Sequence, residues 1–284
     1  MTTTVFVAVI FAALLHAVWN ALVKGGADKF RAMLGVNLGY LPIAALILPF
    51  APAPSAESFL WLAGGAVLRF GYQLFLVAGY RIGDLTQVYP IARGSAPLIV
   101  AGVSVGALGV ALSGLELLAI GLIVAGILSI SLVRREDGAR NARAVLMALA
   151  TGGFIAAYSL VDGLGARAAG TALGYWSWSA IGSAVLFAAW TAAVRPGMLT
   201  DFARDRRAML SGLAGGTASF LAYALVVWSF TQAPIAVVTA LRETSIIFAL
   251  LIGVVFLRER LNLVKVASTF VTIVGAALLR LARP

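Results

Sequence analysis

Cysteine is absent from this 284-residue sequence, and His16 is its only histidine. Without cysteine the chain can form no disulfide and has no thiolate for metal binding or redox chemistry. The sequence also lacks the HExxH and P-loop motifs that mark metalloproteases and nucleotide-binding sites. These absences argue against metal sites and most nucleophilic triads. We therefore expect no cofactor and no enzymatic activity.

Charged residues are scarce as well. They make up 11% of the sequence, whereas hydrophobic residues make up 62%; an average soluble domain is roughly 25% charged. One protein core cannot bury so much apolar surface, so most of it must face lipid. The net charge of +10 lies in short clusters between apolar runs, as in the cytoplasmic loops of membrane proteins. The expected partner is therefore the lipid bilayer and not nucleic acid, and a monomer is compatible with the sequence.

Long apolar stretches alternate with short polar breaks along the chain. A transmembrane helix needs about 20 apolar residues, and ten segments meet this requirement. The proline-rich stretch at 51–58 cannot continue a helix, and charged connectors occupy 134–143 and 195–207. The first segment lacks a basic n-region and a clean cleavage site, so we interpret it as a retained helix. The segments are 4–23, 31–50, 58–80, 84–107, 113–133, 143–165, 170–193, 208–230, 234–257 and 262–281.

The fourth and ninth segments resemble each other at a fixed offset. Arg93 and Arg242 lie 149 positions apart (242 − 93 = 149), which is close to half the chain. Five helices per half is an odd number, so the second half enters the membrane from the opposite side. We therefore predict an all-α polytopic membrane protein whose ten transmembrane helices form two inverted five-helix repeats, 1–136 and 137–284, around a central cavity. The same offset aligns Ser95 with Thr244, Val88 with Val237 and Gly126 with Gly275.

Lysine and arginine are distributed unevenly between the two ends of these helices. Of the 21 Lys and Arg residues, fifteen lie in loops after odd-numbered helices, three lie at the opposite ends, and three lie inside helices. Cytoplasmic loops carry such an excess, so both termini are expected on the non-cytoplasmic side. The fifteen are Lys24, Lys29, Arg31, Arg81, Arg134, Arg135, Arg140, Arg143, Arg195, Arg204, Arg206, Arg207, Arg258, Arg260 and Lys265, and the opposing three are Arg167, Arg280 and Arg283.

Four charged residues lie deep within the apolar segments: Arg69, Arg93, Arg242 and Glu243. A charge at the bilayer centre costs about 2.5–3.5 kcal/mol on insertion scales, so each needs a partner or a water-filled cavity. Asp162, nearer the end of its helix, adds a second carboxylate. Three arginines against two carboxylates leave one positive charge, which suits a carboxylate ligand. The alternative is a structural network that joins the two halves.

Other polar and aromatic side chains occur at helical spacing near these charges. Residues four positions apart share one face of a helix, and polar faces within a membrane turn away from lipid. The pattern therefore predicts a central cavity that binds a small-molecule substrate. His16 is either a proton carrier or a histidine held by an interhelical hydrogen bond. The candidates beyond the five charged residues are His16, Asn20, Tyr72, Tyr89, Tyr158 and Tyr223, with Gln73 on the same broad face as Tyr72.

Prolines and tryptophans extend this candidate site. Pro90 and Pro97 flank Arg93, and proline removes a backbone hydrogen bond from a helix. Because exposed carbonyls are tolerated where a helix lines a cavity, the fourth segment is predicted to be the irregular, binding helix. Trp176 and Trp178 either form an apolar wall for a substrate side chain or belong to an interfacial aromatic belt.

Several stretches of the sequence resemble a known family. They are GYRIGDLTQVYPIARGSAPLIV at 79–100, HAVWN at 16–20, YSLVDGLGAR at 158–167 and FLRERL at 256–261. With these stretches the chain resembles the EamA-type ten-helix permeases of the drug/metabolite transporter superfamily. Many members carry a Gly-Glu pair after the fourth helix, where this sequence has Gly109-Val110. Glu259 in the second half therefore has no counterpart in the first, and no role is assigned to it.

The resemblance implies a basket of two inverted repeats in a bacterial inner membrane, with a cavity that opens alternately to either side. It also implies export of small metabolites, often aromatic or other neutral amino acids. The charged residues agree, because arginines suit a carboxylate and Asp162 or Glu243 suits an amine. The alternative is a proton-coupled exporter of drugs or other metabolites, and a channel or membrane-embedded enzyme is more remote. Because both acids have arginines to pair with, we expect facilitated transport rather than proton coupling.

Overall fold

The computed structural model describes residues 1–24, 28–82, 85–131, 142–255 and 263–282. Within these ranges every regular element is helical and no strand occurs. Glu259, the FLRERL stretch and residues 132–141 of the polar connector lie outside the described residues. The helices are α1 (Thr3–Lys24), α2 (Lys29–Ile47), α3 (Phe59–Ile82), α4 (Leu85–Gly106), α5 (Gly114–Ser131), α6 (Ala142–Ala169), α7 (Ala172–Val194), α8 (Met198–Arg204), α9 (Arg206–Gln232), α10 (Ile235–Arg242), α11 (Ser245–Val255) and α12 (Leu263–Ala282).

The predicted membrane segments are confirmed as helices. Within the described part of the chain, nine spans are long and apolar enough to cross a membrane, and α5 adds a shorter apolar helix. The protein therefore has an all-α polytopic membrane fold. Two features differ from the predicted segments: the connector at 195–207 contains the short helix α8, and the ninth segment is divided into α10 and α11.

Side-chain caps explain where several of these helices begin. The Asp28 carboxylate accepts hydrogen bonds from the first-turn amides of α2, at 2.8 Å from Phe30 N. Asp205 does the same for α9, at 3.0 Å from Ala208 N. At the start of α5, Ser113 and Glu116 exchange backbone–side-chain bonds in a capping box. Each cap satisfies amides that have no partner within the helix.

The irregular helix is not the one predicted from proline. α4 continues through both Pro90 and Pro97, so the prediction that the fourth segment is irregular is wrong. The break lies instead in the ninth span, where α10 ends at Arg242 and α11 begins at Ser245. A proline within a helix removes one donor and bends the backbone without necessarily ending it, particularly where neighbouring helices pack around it.

The break in the ninth span has a local cause. The Thr244 hydroxyl donates to the Leu241 carbonyl at 2.8 Å, and Thr244 N approaches the same carbonyl at 3.1 Å. This side-chain bond competes with the i to i+4 pattern and favours a tighter turn. Arg242 then lies at the negative C-terminal end of α10 and Glu243 lies before the positive N-terminal end of α11. Both charges are therefore stabilised by the helix dipoles.

α2 and α9 approach each other more closely than ordinary side chains permit. A Cβ added to Gly39 would lie 3.0 Å from Gly216 Cα, and one added to Gly35 would lie 3.1 Å from Gly212 Cα. Both helices therefore present a Gly-x-x-x-Gly pair at their crossing, the arrangement that brings transmembrane backbones into contact. This crossing positions the second half of α9 against the buried charges.

Candidate functional site

All five charged residues singled out in the apolar segments are buried. Arg69 is 5% exposed, Arg93 4%, Arg242 2%, Glu243 1% and Asp162 0%. They form two ionic clusters. The first, here named the aromatic cage, comprises Arg69, Asp162, Tyr158, Trp176 and Tyr223. The second, here named the arginine–glutamate triad, comprises Arg93, Arg242 and Glu243.

In the aromatic cage, Arg69 forms an ion pair with Asp162 and is enclosed by three rings. The guanidinium carbon lies 4.1 Å from the ring centre of Tyr223, 4.5 Å from that of Tyr158 and 4.6 Å from that of Trp176. Aromatic faces attract cations within about 6 Å, and more strongly where water is excluded. Arg69 Nε makes no hydrogen bond, so the rings and Asp162 together compensate its charge.

Asp162 is saturated with donors. Its Oδ2 accepts from Arg69 and, at 2.9 Å, from the Tyr223 hydroxyl, and its Oδ1 accepts from the Tyr175 hydroxyl at 3.3 Å. Gly65 on α3 makes room for this carboxylate, because a Cβ at that position would clash with Oδ1. The cage is therefore formally neutral, with both of its carboxylate oxygens in use.

In the arginine–glutamate triad, more of the buried polar atoms lack a hydrogen-bond partner. Arg93 Nε lies 2.7 Å from Glu243 Oε2, and Arg93 Nη2 donates to Ser245 Oγ at 3.1 Å. Arg242 Nη2 lies 3.7 Å from Glu243 Oε1, which is too long for a hydrogen bond. Nε and Nη2 of Arg242 and Oε1 of Glu243 are buried without a hydrogen-bond partner. Two guanidinium groups against one carboxylate leave a formal charge of +1.

The two clusters adjoin across Tyr223. Its ring lies 4.1 Å from the guanidinium carbon of Arg69 and 6.0 Å from that of Arg242. Tyr72 extends the group, since its ring packs edge-on against Tyr158 at 5.6 Å. Tyr89 lies 5.8 Å from the guanidinium carbon of Arg93. The structure thus brings the predicted charges and all four predicted tyrosines into one buried region.

His16 and Asn20 share a face of α1, but their hydrogen bonds are local. Trp19 Nε1 donates to His16 Nδ1 at 3.2 Å, and Asn20 Nδ2 donates to the His16 carbonyl at 2.8 Å. The predicted interhelical bond of His16 is therefore replaced by a bond within its own helix. A ring nitrogen that accepts must be unprotonated, so this arrangement holds a neutral imidazole. His16 is close enough to Arg93 and Arg242 to interact with them electrostatically.

Trp178 does not belong to this region. It is 50% exposed, whereas Trp176 is fully buried. Residues two positions apart on an α-helix point in nearly opposite directions, so the two tryptophans cannot form one wall. Trp178 lies on the outer surface, as the alternative of an interfacial aromatic belt requires. Trp176 instead donates its Nε1–H to the Phe220 carbonyl at 3.0 Å.

Three polar partners were missed in the sequence. Tyr175 and Ser245 complete the two clusters, and Asn37 accepts a bond from Gln73 Nε2 at 3.0 Å between α2 and α3. The only signal for Tyr175 and Ser245 is their position beside Trp176 and the Arg242–Glu243 pair. In the described part of the chain, no three His, Cys, Asp or Glu residues are grouped as metal ligands would be.

A cavity of about 670 Å³ opens at the ends of α1, α2, α8 and α9, away from the buried charges. Its wall includes Ala21, Asp28, Arg31, Asp205 and Gly212. Arg31 pairs with Asp205 at 3.1 Å at its border. The charge distribution described above predicts that this end faces the cytoplasm.

Comparison with known proteins identifies a family for part of the chain. Residues 142–281 match the model of the EamA-like transporter family. No curated protein matches the sequence. Twenty-nine chains of solved structures match. One, described as "Crystal structure of protein", has a TM-score of 0.75 and 17% identity, over 99% of this chain and 98% of that chain; this likeness shows the fold alone. The second half of the chain therefore contains an EamA-like transporter family domain, which indicates a membrane transporter of the drug/metabolite type.

Proposed function

We propose that the protein is a secondary transporter that exports neutral amino acids, and that Arg242 and Glu243 bind the amino-acid head group. One observation carries this proposal. Arg242 Nη2 and Glu243 Oε1 lie 3.7 Å apart, both are buried, and neither has a hydrogen-bond partner. The resemblance to bacterial amino-acid exporters such as YddG points to the same class of substrate.

A zwitterion supplies both missing partners. Its carboxylate would accept from Nε and Nη2 of Arg242 in the bidentate manner that guanidinium groups favour. Its ammonium group would donate to Glu243 Oε1. A buried polar group without a partner costs about 1–3 kcal/mol, so a ligand that satisfies these atoms gains that energy on binding. Arg69 is a poorer candidate because Asp162 and three rings already compensate its charge.

The substrate side chain would lie beside the triad and not inside the aromatic cage. The rings of Tyr158, Trp176 and Tyr223 already enclose Arg69. Tyr72 and Tyr89 are only partly buried, which leaves part of each side chain free to contact an apolar group. This arrangement favours amino acids with sizeable side chains.

Helix packing supports two inverted repeats, residues 1–136 and 137–284. If the two halves are equivalent, α1 to α5 correspond in order to α6, α7, α9, α10–α11 and α12. Each contact between the halves should then have a counterpart, and the counterpart of the α3–α6 contact is α9–α1. The pair α2–α9 becomes α7–α3, and α4–α6 becomes α11–α1; all of these pairs are in contact. Repeats related in this way underlie alternating access around a midplane site, and we include that mechanism in the proposal.

Flux into liposomes tests the head-group assignment. Phenylalanine should compete for transport of a labelled amino acid, whereas phenethylamine, which lacks the carboxylate, should compete poorly. Methionine and its decarboxylated analogue give a second matched pair. Equal competition by the amines would show that the positive charge of the triad is structural and would contradict the proposal.

A second candidate is a proton-coupled exporter of drugs or other metabolites. The unpartnered Oε1 of Glu243 favours it, because a carboxylate that binds a cationic substrate can also release it in exchange for a proton. An imposed pH gradient separates the two candidates. Flux that is insensitive to the gradient indicates a facilitator, and saturable flux with accelerated exchange distinguishes either carrier from a channel.

The proposed location is a bacterial inner membrane, with both termini outside the cytoplasm. The fifteen-to-three distribution of lysine and arginine supports this orientation. A C-terminal fluorescent tag that folds only in the cytoplasm should remain dark. A bright tag would place the C-terminus inside.

A further inference from the structure

Arg167 lies in the last turn of α6 and reaches the end of α9. Its Nε donates to the Phe230 carbonyl at 2.9 Å, and its Nη2 donates to the carbonyls of Phe230 at 2.7 Å and Ala233 at 2.9 Å. Phe230 would ordinarily bond to the amide four residues later, but that residue is Pro234, which has no N–H. Arg167 therefore supplies donors that α9 lacks, at the negative end of the helix dipole.

The same end of the molecule is closed beneath and beside Arg167. Gly163, one turn earlier on α6, allows Ile235 to pack on the helix backbone, because an added Cβ would lie 2.5 Å from Ile235 Cδ1. Before α3, the Ser55 hydroxyl donates to the Ala168 carbonyl at 2.9 Å and Ser55 N donates to that of Ala169 at 3.3 Å. These contacts join α3, α6, α9 and α10. The same four helices carry Arg69, Asp162, Tyr223 and Arg242.

The opposite end of the molecule carries a surface cavity. The cavity of about 670 Å³ lies there, and the ion pair at its border, Arg31–Asp205, joins side chains that are 34% and 40% exposed. Among the described residues, the Arg167 contacts thus hold helices together at one end, whereas a cavity lies between helix ends at the other. In a protein with alternating access, contacts that hold helices together at one end decide when that end opens.

We propose that Arg167 is the latch of the non-cytoplasmic gate: loss of its three hydrogen bonds frees the end of α6 from the α9–α10 turn and opens the site to that side. The inference rests on the proposed transport function and orientation, but on no particular substrate. Arg167 is exposed, so water replaces its lost bonds and release is reversible. The net energy of such hydrogen bonds corresponds to about a tenfold change in the ratio of open to closed molecules.

Single-cysteine reporters test the latch, because the chain has no cysteine of its own. Ala236→Cys reports from a buried position on α10 near Arg167, and Ser211→Cys reports from the cavity wall at the opposite end. A membrane-impermeant thiol reagent is applied to each side of the vesicles in turn. In the Arg167→Ala background we expect labelling at position 236 to rise about tenfold and labelling at position 211 to fall.

Two further variants make the result decisive. Arg280→Ala removes another arginine from the same end and should alter neither labelling rate. Arg167→Lys keeps the charge but replaces the fixed fork of guanidinium donors with a single ammonium group, so its effect should be intermediate. Unchanged labelling at position 236 in both Arg167 variants would overturn the latch. A rise at both reporters would overturn it too, because that pattern indicates a loosened fold. The assay contains no substrate, so its failure and that of the amino-acid proposal are distinguishable.

Discussion

The aromatic cage and the arginine–glutamate triad are equally buried, but their charges are compensated very differently. In the cage, Asp162 accepts from three side chains and Arg69 has an anion and three ring faces around it. In the triad, Arg242 and Glu243 each retain buried polar atoms without a partner. Burial alone therefore does not distinguish a structural charge from a binding charge. The number of unsatisfied donors and acceptors is what separates the two clusters.

The two regions also differ in backbone. The cage is built on continuous stretches of α3, α6, α7 and α9, whereas Arg242 and Glu243 lie at the break between α10 and α11. A broken helix inside a membrane is tolerated where it lines a cavity or a substrate site. The incomplete cluster and the irregular backbone thus coincide, and both favour the triad as the binding region.

The largest expected effect on stability comes from breaking the cage. Asp162→Asn leaves the Arg69 charge buried without an anion, which should lower the free energy of unfolding by about 3–5 kcal/mol. Unfolding by denaturant in detergent micelles measures the loss. The double variant Arg69→Met, Asp162→Asn removes both charges and should recover most of it. If the single variant is as stable as the parent protein, the cage does not stabilise the fold through this ion pair.

Removal of the surplus charge should affect transport far more than stability. Arg242→Gln leaves Arg93 and Glu243 as a neutral pair, so the free energy of unfolding should change little. Transport should fall about 100-fold, the equivalent of about 2.7 kcal/mol. Arg242→Lys is the matched control, because it keeps the charge but loses the bidentate geometry. A stability loss as large as that of Asp162→Asn, with transport per folded molecule intact, would reverse the roles of the two clusters.

The membrane helices and the buried charges were predictable because both depend on local sequence. A run of about 20 apolar residues defines a span, and an ionisable residue inside it stands out. Helical spacing also identified His16, Asn20 and Tyr89 as candidates near those charges. The pairing of charges between helices was not predictable, since periodicity gives a face but not the helix opposite. Asp162 accordingly could not be assigned to Arg69 before the fold was known.

Two errors of prediction have different physical origins. Pro90 and Pro97 are strong local signals for irregular backbone, yet α4 passes through both. The helix breaks instead between α10 and α11, where the Thr244 hydroxyl bonds to the backbone and two charged residues lie at helix ends. Neither feature is recognisable in a sequence as a helix breaker. Trp178 was grouped with Trp176 by proximity in the chain, although a spacing of two places them on opposite faces.

Two tyrosine hydroxyls donate to Asp162, and removing each one measures how much its hydrogen bond stabilises the cage. Tyr223→Phe removes the 2.9 Å bond to Oδ2 but keeps the ring over Arg69. A bond to a charged group contributes about 1.5–3 kcal/mol, and we expect a loss near the lower limit because Arg69 still binds the same oxygen. Tyr175→Phe, which removes a 3.3 Å bond, should cost less. Denaturant unfolding of the two variants provides the comparison, and the opposite order would show that the Oδ1 contact dominates.

The smallest effect is expected at the surface, where a charge has water as an alternative partner. The backbone amide of Ala208, with Arg31 nearby, lowers the pKa of the Asp205 carboxyl below its ordinary value of 3.8. Because the pKa of Asp205 is lower in the folded protein, its carboxylate stabilises the fold fully above pH 3.8. This stabilisation is lost as the pH falls through the pKa of the folded state. Asp205→Asn keeps a capping oxygen for α9 but cannot titrate. Its Tm should therefore fall slightly at pH 7, and the difference from the parent protein should narrow below pH 3.8. A difference that persists in acid would assign the effect to cap geometry, and one as large as that of Asp162→Asn would contradict the contrast between buried and exposed charges.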